Sequence, residues 1–171
     1  MPDKIKIIDE SPFDASDNVE SDIFMAAYDE SGDYVGGLDA AVTQKDDRLE
    51  AKLMTIDANP PERGTGSKLM KALVVELKAR KVTDLWSDSL SEDALAMRLK
   101  VFGEELLHFY DPDHLEDGFL PMNIQQARSS RHRLDAYTYD NPDSLILGPG
   151  VYVDLSKVDS AEWHRPEKSK G

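Results

Sequence analysis

Short apolar runs alternate with polar turns over the first 58 residues, a pattern typical of consecutive β-strands. The apolar runs cover residues 4–8, 22–28, 34–42 and 49–58. The segments DESGD (29–33) and QKDDR (44–48) separate the later runs, and the Asp, Ser and Gly of the first favour a turn. We therefore predict an antiparallel meander of three or four strands.

The periodicity changes after this meander. Leu69, Leu73 and Leu77 recur every four residues with Val74 beside them, which is the apolar stripe of a helix that faces a core. The stripe predicts a helix from Gly64 to about residue 82.

A second group of elements follows. VTDLWSD (82–88) and ELLHFYD (105–111) are predicted strands, and Ser89 with Glu92 resembles a capping box before a helix over 91–102. The order meander, helix, strand, helix, strand predicts an α+β fold: a mixed, largely antiparallel sheet flanked by helices.

The last third of the chain has a weaker pattern. Residues 111–121 are loop-like, and LILGPGVYVDL (145–155) predicts a last strand interrupted by a Gly-Pro-Gly turn. The polar tail 157–171 is expected to fray. We therefore divide the chain into a core domain, 1–125, and a C-terminal extension, 126–171.

Charge is the main compositional anomaly of this 171-residue chain. Its formal net charge is −14, and residues 1–50 carry 14 acidic and 4 basic side chains. Such a surface repels nucleic acid, which argues against direct nucleic-acid binding, and attracts cations, amines or a basic protein. Solubility or adaptation to a salty host would explain the charge equally well.

The sequence also lacks cysteine, a membrane-spanning run and the apolar segment of a signal peptide, and each of these absences excludes a class of protein or site. There is no cysteine, so disulfides and thiolate metal sites are excluded. No apolar run is long enough for a membrane span, and the first residues lack the apolar segment of a signal peptide. We expect a cytoplasmic protein without membrane association, and the sequence leaves a homodimer open.

The stretch NPPERGTGSKLM (59–70) carries the clearest candidate chemistry. Gly64 and Gly66 let backbone approach a ligand closely, and the helix that begins there has free N–H groups and a positive dipole end. Arg63 and Lys68 add positive charge. The turn therefore suits a pyrophosphate, although a glycine-rich helix start without a ligand has the same appearance. The spacing matches neither a nucleotide P-loop nor a dinucleotide fingerprint.

Residues 49–103 resemble the core of the GNAT superfamily of acyl-CoA-dependent N-acetyltransferases. That family carries Q/R-x-x-G-x-G/A after a strand, and its amides bind the coenzyme A pyrophosphate. Here Pro61 replaces the usual glutamine or arginine, while the glycine pair matches. The resemblance implies acetyl-CoA as co-substrate and a thioester lying along strand residues 53–56. The implied binding residues are Met54, Ile56, Pro61, Glu62, Arg63, Gly64, Thr65, Gly66 and Ser67.

The resemblance also implies a general base. Some lysine acetyltransferases of the family use a glutamate eleven residues before the Q/R position, which falls here on Glu50. Apolar neighbours could raise the pKa of this carboxyl, which would then accept a proton through a water molecule. Asp57 is a weaker candidate, and Glu50 could equally be a surface carboxylate beside a turn.

The family's proton-donating tyrosine has no counterpart. In the motif N-x-x-A-x-x-x-Y-x-x-x-G-F the tyrosine position falls on Arg98 if Ala94 is the anchor, and on Leu99 if Gly103 is. Tyr110, on the next predicted strand, is the nearest phenol and the candidate acid, although it could simply pack against the sheet.

Two further groups point to chemistry only weakly. His108 and His114 flank an acidic DPD segment but lack tight ligand spacing, so we expect no metal site. The arginines of 128–133 could reach the coenzyme's 3′-phosphate, dock a partner or form a solvated amphipathic segment.

Together these features predict an acetyl-CoA-dependent N-acetyltransferase. Its acceptor would be the primary amine of a cationic small molecule or of a protein lysine. The alternative is a catalytically weak or inactive GNAT-fold binding module whose acidic surface meets a basic protein. A third reading is an accidental resemblance with an empty turn.

Overall fold

The computed structural model describes residues 5–11, 22–58, 64–87, 90–110, 121–123, 125, 131–132, 146–147 and 150–168. The chain divides into two compact units, one of residues 1–85 and 154–171 and the other of residues 86–153. The boundary between these units does not coincide with the division at residue 125 that the sequence suggests.

The first unit is a sheet carrying one long helix. Its elements are β1 (Lys6–Asp9), β2 (Asp22–Tyr28), β3 (Tyr34–Lys45), β4 (Arg48–Ala58), α1 (Thr65–Ala79), β5 (Val82–Ser87) and β12 (Glu167–Lys168). The strand order is β12-β1-β2-β3-β4-β5. Strands β1 to β4 pair antiparallel in sequence, which confirms the predicted meander.

Both predicted turns of the meander are present. In the first, the Asp29 carboxylate accepts N–H bonds from Ser31 and Asp33 at 2.9 and 3.0 Å, and Gly32 has a φ of 84°. The second is shorter than predicted, because β3 and β4 stay paired up to Lys45 and Arg48. Two aspartates close that hairpin.

Helix α1 forms because its apolar stripe covers the sheet. Leu69, Leu73 and Leu77 are fully buried, and α1 packs on β2, β3 and β4. The helix ends at Ala79, three residues before the predicted end, and Lys81 then adopts a positive φ of 64° before β5 starts.

A buried carboxylate in α1 anchors the C-terminal segment. Glu76 is 0% exposed, and its carboxylate accepts bonds from Arg165 Nε at 2.7 Å and from Arg80 Nε at 3.1 Å. Lys168 Nζ lies 3.6 Å away. Asp9 Oδ2 lies 3.8 Å from a terminal nitrogen of Arg80. Burial alone would raise the pKa of Glu76, but these partners outweigh it and hold the pKa below its ordinary value.

The C-terminal tail therefore does not fray over the residues that the structure describes. Residues 158–168 follow a short 3₁₀ turn, Lys78 Nζ donates to the Val158 carbonyl at 2.6 Å, and β12 pairs in parallel with β1. The expectation of a frayed tail failed because its partners are Glu76 and β1, which lie far away in sequence.

The second unit contains the remaining elements. They are β6 (Leu90–Ser91), α2 (Glu92–Phe102), a 3₁₀ turn at Glu104–Leu106, β7 (Leu107–Tyr110), β8 (Pro121–Met122), β9 (Arg131–His132), β10 (Ile146–Leu147) and β11 (Gly150–Asp154). The strand orders are β11-β7-β8 and β6-β10-β9.

One local prediction in this unit is wrong. Because Leu90–Ser91 is a strand and α2 begins at Glu92, that glutamate lies at the first helical position. It does not occupy the third position, which a capping box with Ser89 requires. Of the helices in the described part of the chain, none has the length and apolarity needed to span a bilayer.

Candidate functional site

The start of α1 is shaped to receive an anion. Gly64 is its N-cap and adopts a left-handed conformation, with φ 76° and ψ 11°. The first helical bond runs from the Lys68 N–H to the Gly64 carbonyl at 3.2 Å, so the N–H groups of Thr65, Gly66 and Ser67 precede the helical ladder. No described side chain caps them. These amides and the helix dipole favour negative charge at this position.

Close packing fixes this helix start against the sheet. A Cβ on Gly36 would lie 2.5 Å from the Asp57 carbonyl oxygen and 3.1 Å from Thr65 Cγ2, so a side chain there would separate the end of β4 from α1. Thr65 itself is 0% exposed, and its hydroxyl has no hydrogen-bond partner among the described residues. The sequence signal was the Gly36-Gly37 pair, which strand prediction treats only as a weak point.

A bulge interrupts β4 at a predicted binding residue. Asp39 of β3 lies opposite Thr55, but Ala40 lies opposite Leu53, so Met54 is left out of the ladder with β3. Met54 is 53% exposed, and Thr55 Oγ1 donates to Asp39 Oδ1 at 2.9 Å. Met54 is therefore unpaired on the β3 side, while the other edge of β4 neighbours β5. The other predicted residue of this strand, Ile56, is half-buried.

Glu50 lies on the same strand, four residues before Met54. It is half-buried and pairs across the ladder with Thr43. Since side chains alternate along a strand, Glu50 and Met54 share a face, about 13 Å apart along β4. Asp57 is exposed near the end of β4. The catalytic role of Glu50 stays a prediction.

A phenol that sequence reasoning overlooked lies near Asp57. The Tyr34 ring lies across Gly37: a Cβ added to Gly37 would be 2.5 Å from the Tyr34 hydroxyl. The rings of Tyr34 and Tyr28 meet edge-on, with their centroids 6.2 Å apart. Tyr34 is 58% exposed, but desolvation of its hydroxyl against Gly37, and then the charges of Asp57 and Glu10, raise its pKa above the ordinary value. Tyr34 therefore keeps its proton at neutral pH and can donate it in a hydrogen bond.

In the second unit, a buried arginine occupies one of the two tyrosine positions. Arg98 is 5% exposed and donates at 3.3 Å to the Ala94 carbonyl and to Ser87 Oγ. It forms no ion pair within the described part of the chain. Burial lowers the pKa of its guanidinium to about 10. At the other candidate position, Leu99 accepts the helix-terminating N–H of Gly103 at 2.9 Å.

The burial of Arg98 leads to a stability prediction. Arg98→Met should raise the free energy of unfolding by about 1–3 kcal/mol, because a buried cation with no ion pair among the described residues is replaced by an apolar side chain of similar length. The measurement is urea denaturation, with the exposed Lys100→Met on the same helix as control. A destabilised Arg98→Met variant would show that the two neutral hydrogen bonds outweigh desolvation.

The remaining predicted residues are only partly described. Tyr110 is the last residue of β7, and its backbone lies opposite Gly150 and Pro121. Its side chain is outside the described part of the structure, and its role as the acid stays a prediction. Pro61, Glu62 and Arg63 lie outside the described residues.

The other candidate groups are described only in part. His108 stacks on Tyr152 with ring centroids 4.7 Å apart. His114 and most of the arginine cluster 128–133 are outside the described residues. Searching only what the structure describes, no group of three or more potential metal ligands is found.

Comparison with solved structures identifies the fold. An IAA acetyltransferase from Bacillus cereus aligns with a TM-score of 0.53 and 11% identity, over 88% of this chain and 99% of its own. A Bacillus subtilis acetyltransferase in complex with CoA aligns with a TM-score of 0.51 and 10% identity, over the same shares. A GNAT-family acetyltransferase from Staphylococcus aureus Mu50 aligns at 0.48 and 11%, over 78% of this chain and 68% of its own.

The chain thus has the GNAT fold, which confirms the predicted α+β class and the resemblance as far as the fold is concerned. No protein-family model matches the sequence, and no curated protein matches it either. At this low identity the likeness shows architecture, and activity must be argued from the site.

Proposed function

We propose that this chain transfers an acetyl group from acetyl-CoA to a primary amine. The observation that carries the proposal is the left-handed Gly64, which begins α1 after the bulged strand β4 and leaves the amides of Thr65, Gly66 and Ser67 outside the helical ladder and without a side-chain cap. In a GNAT fold, that combination supports coenzyme binding at the start of α1.

Residues of β4 and α1 would bind the coenzyme, stabilise the oxyanion and remove the proton. The amides of Thr65, Gly66 and Ser67 bind the pyrophosphate, and a backbone N–H near the Met54 bulge hydrogen-bonds the thioester oxygen as it becomes negative. The amine nitrogen attacks the carbonyl carbon, the C–S bond breaks, and the coenzyme leaves as a thiolate that takes up a proton. Before the attack Glu50 takes one proton from the ammonium through water, which gives the neutral amine, and the second proton that the nitrogen loses as the amide forms goes to the thiolate.

The acceptor is proposed from charge. Residues 1–50 carry a net charge of −10, which favours a cationic amine over a neutral or acidic one. We expect release of coenzyme A thiol from acetyl-CoA to be fastest with a polyamine or a lysine peptide at low salt. A faster rate with a neutral or acidic amine would remove the basis for this choice.

The alternative is a GNAT-shaped binding module, and the observation that favours it is Arg98. Arg98 is buried, and its guanidinium is held by the Ala94 carbonyl and Ser87 Oγ, so this tyrosine position carries no phenol that could protonate the leaving thiolate. If no amine supports thiol release while acetyl-CoA still binds, the module with an acidic, partner-binding surface becomes the better explanation.

Coenzyme binding is tested with two matched glycines. Gly64 and Gly32 both have positive φ values, 76° and 84°, and a Cβ at either would meet nothing within 4 Å. Gly64→Glu and Gly32→Glu therefore introduce the same charge and similar backbone strain. We expect Gly64→Glu to weaken acetyl-CoA binding at least about tenfold, because the new carboxylate repels the pyrophosphate.

Isothermal titration calorimetry with acetyl-CoA measures the effect. Gly32→Glu should bind like the wild type, since its hairpin lies between β2 and β3. Unchanged binding by Gly64→Glu would place the coenzyme elsewhere, and equal losses in both variants would point to a general effect of charge or folding.

A further inference from the structure

The first unit contains a pocket that the proposed acyl transfer does not use. It has a volume of about 430 Å³, within the range of small-molecule sites. It lies between α1, β1 and the C-terminal segment 162–167, and we call it the Trp163 pocket. Its apolar lining consists of Ile5, Ile7, Ala72, Trp163 and Pro166. None of the residues from Gly64 to Ser67 lines it.

The charge of this pocket is opposite to that of the whole chain. Four cationic side chains and two carboxylates line it, a local net charge of +2 with histidine neutral, against −14 for the chain. These side chains are Lys6, Lys68, Lys71, Arg165, Glu162 and Glu167. Two of the cations are already paired, Lys6 with Glu167 at 3.0 Å and Arg165 with the buried Glu76 at 2.7 Å, so the excess positive charge comes from the two lysines of α1. An anion is therefore favoured here, although the surface elsewhere repels it.

Lys71 and Trp163 combine a cation with an aromatic face. Lys71 Nζ lies 5.6 Å from the centroid of the Trp163 ring. Among the described residues Lys71 makes this ring contact and no ion pair. Lys68 precedes it by three residues on the same helix face and also lines the pocket.

On the other side of the pocket, Arg165 supplies a guanidinium that is held in place by Glu76. Its Nε and terminal nitrogen donate to the buried Glu76 carboxylate at 2.7 and 3.3 Å, while its side chain stays 51% exposed. The anchored guanidinium loses little side-chain entropy when a ligand binds beside it.

We propose that the Trp163 pocket binds a small organic anion with a planar apolar body, of the aromatic carboxylate class. The ring covers Trp163 and the apolar lining, and the carboxylate pairs with Lys71 in the field of Lys68 and Arg165. A neutral analogue loses the ion pair, and a cationic analogue meets like charge.

The test follows the indole N–H signals of the two tryptophans by NMR. The probe is naphthalene-2-carboxylate, with 2-naphthalenemethanol and 2-naphthylmethylammonium as neutral and cationic analogues. Trp86 lies on β5, outside the pocket lining, and its indole serves as internal reference. We expect a saturable shift of the Trp163 signal with the carboxylate, and at least about tenfold weaker binding of both analogues.

Two lysine variants test whether Lys71 is the cation that pairs with the carboxylate of the probe. Lys71→Met keeps an apolar side chain and should weaken carboxylate binding at least about tenfold, whereas the exposed Lys100→Met on α2 should leave it unchanged. The dispersion of the remaining signals shows whether each variant is folded. Addition of saturating acetyl-CoA should leave the Trp163 signal in place.

Four results would each overturn the proposal. They are no saturable shift up to about 10 mM carboxylate, equal affinity for the three probes, full affinity in Lys71→Met, and displacement of the carboxylate by acetyl-CoA. The last result would assign the pocket to the coenzyme and leave the proposed acyl transfer intact, so the two proposals fail separately.

Discussion

The Glu50→Gln variant is expected to transfer acetyl groups about 10²- to 10⁴-fold more slowly than the wild type, the range typical of losing a general base. Glutamine keeps the shape of the side chain but cannot accept the proton of the ammonium. Because Glu50 is four residues from the Met54 bulge and on the same face of β4, it can act on the amine without contacting the coenzyme.

Steady-state kinetics and calorimetry together separate this role from a structural one. The turnover number should fall while acetyl-CoA binding stays within about twofold, since ground-state contacts are unchanged. Asp57→Asn is the matched control, because Asp57 is a second carboxylate of β4 and was the weaker candidate. A loss confined to Asp57→Asn would transfer the role of base to that residue.

Replacement of Glu76 by glutamine should lower the free energy of unfolding by about 3 kcal/mol, the lower end of the range for breaking a buried ion pair. Arg80 stays 8% exposed beside Asp9, so its charge loses a buried partner. Arg165 and Lys168 are about half exposed and can turn toward water, which limits the cost. Glu105→Gln, at an exposed position, is the control.

The same variant has a pH signature. The folded state holds the pKa of Glu76 below its unfolded value of 4.5, so its contribution to stability is complete above pH 4.5. It is lost as the pH falls through the lowered folded value. Urea denaturation should therefore show a smaller difference between wild type and Glu76→Gln in acid. A difference that stays constant down to strongly acidic pH would contradict the ion-pair explanation.

Local signals predicted most of the first unit. The apolar runs and the Asp-rich turn of 29–33 predicted the meander, because alternation and turn chemistry depend on neighbouring residues. The leucine stripe predicted α1, and the glycine pair marked its start. The Ser89 capping box failed, since pairing of Leu90–Ser91 with β10 overrides the local preference for a cap.

By itself the sequence determined the fold class, the order of the main elements and the position of the glycine-rich helix start. Only the tertiary structure decided which residues meet there: Gly36 makes room for Thr65, and the register with β3 leaves Met54 out of the ladder. It also decided that Glu76 holds Arg165, 89 residues away, and that Trp163 faces Lys71. Periodicity reports the face that a residue presents, whereas its partner across the fold depends on strand register and chain reversal, which no local pattern encodes.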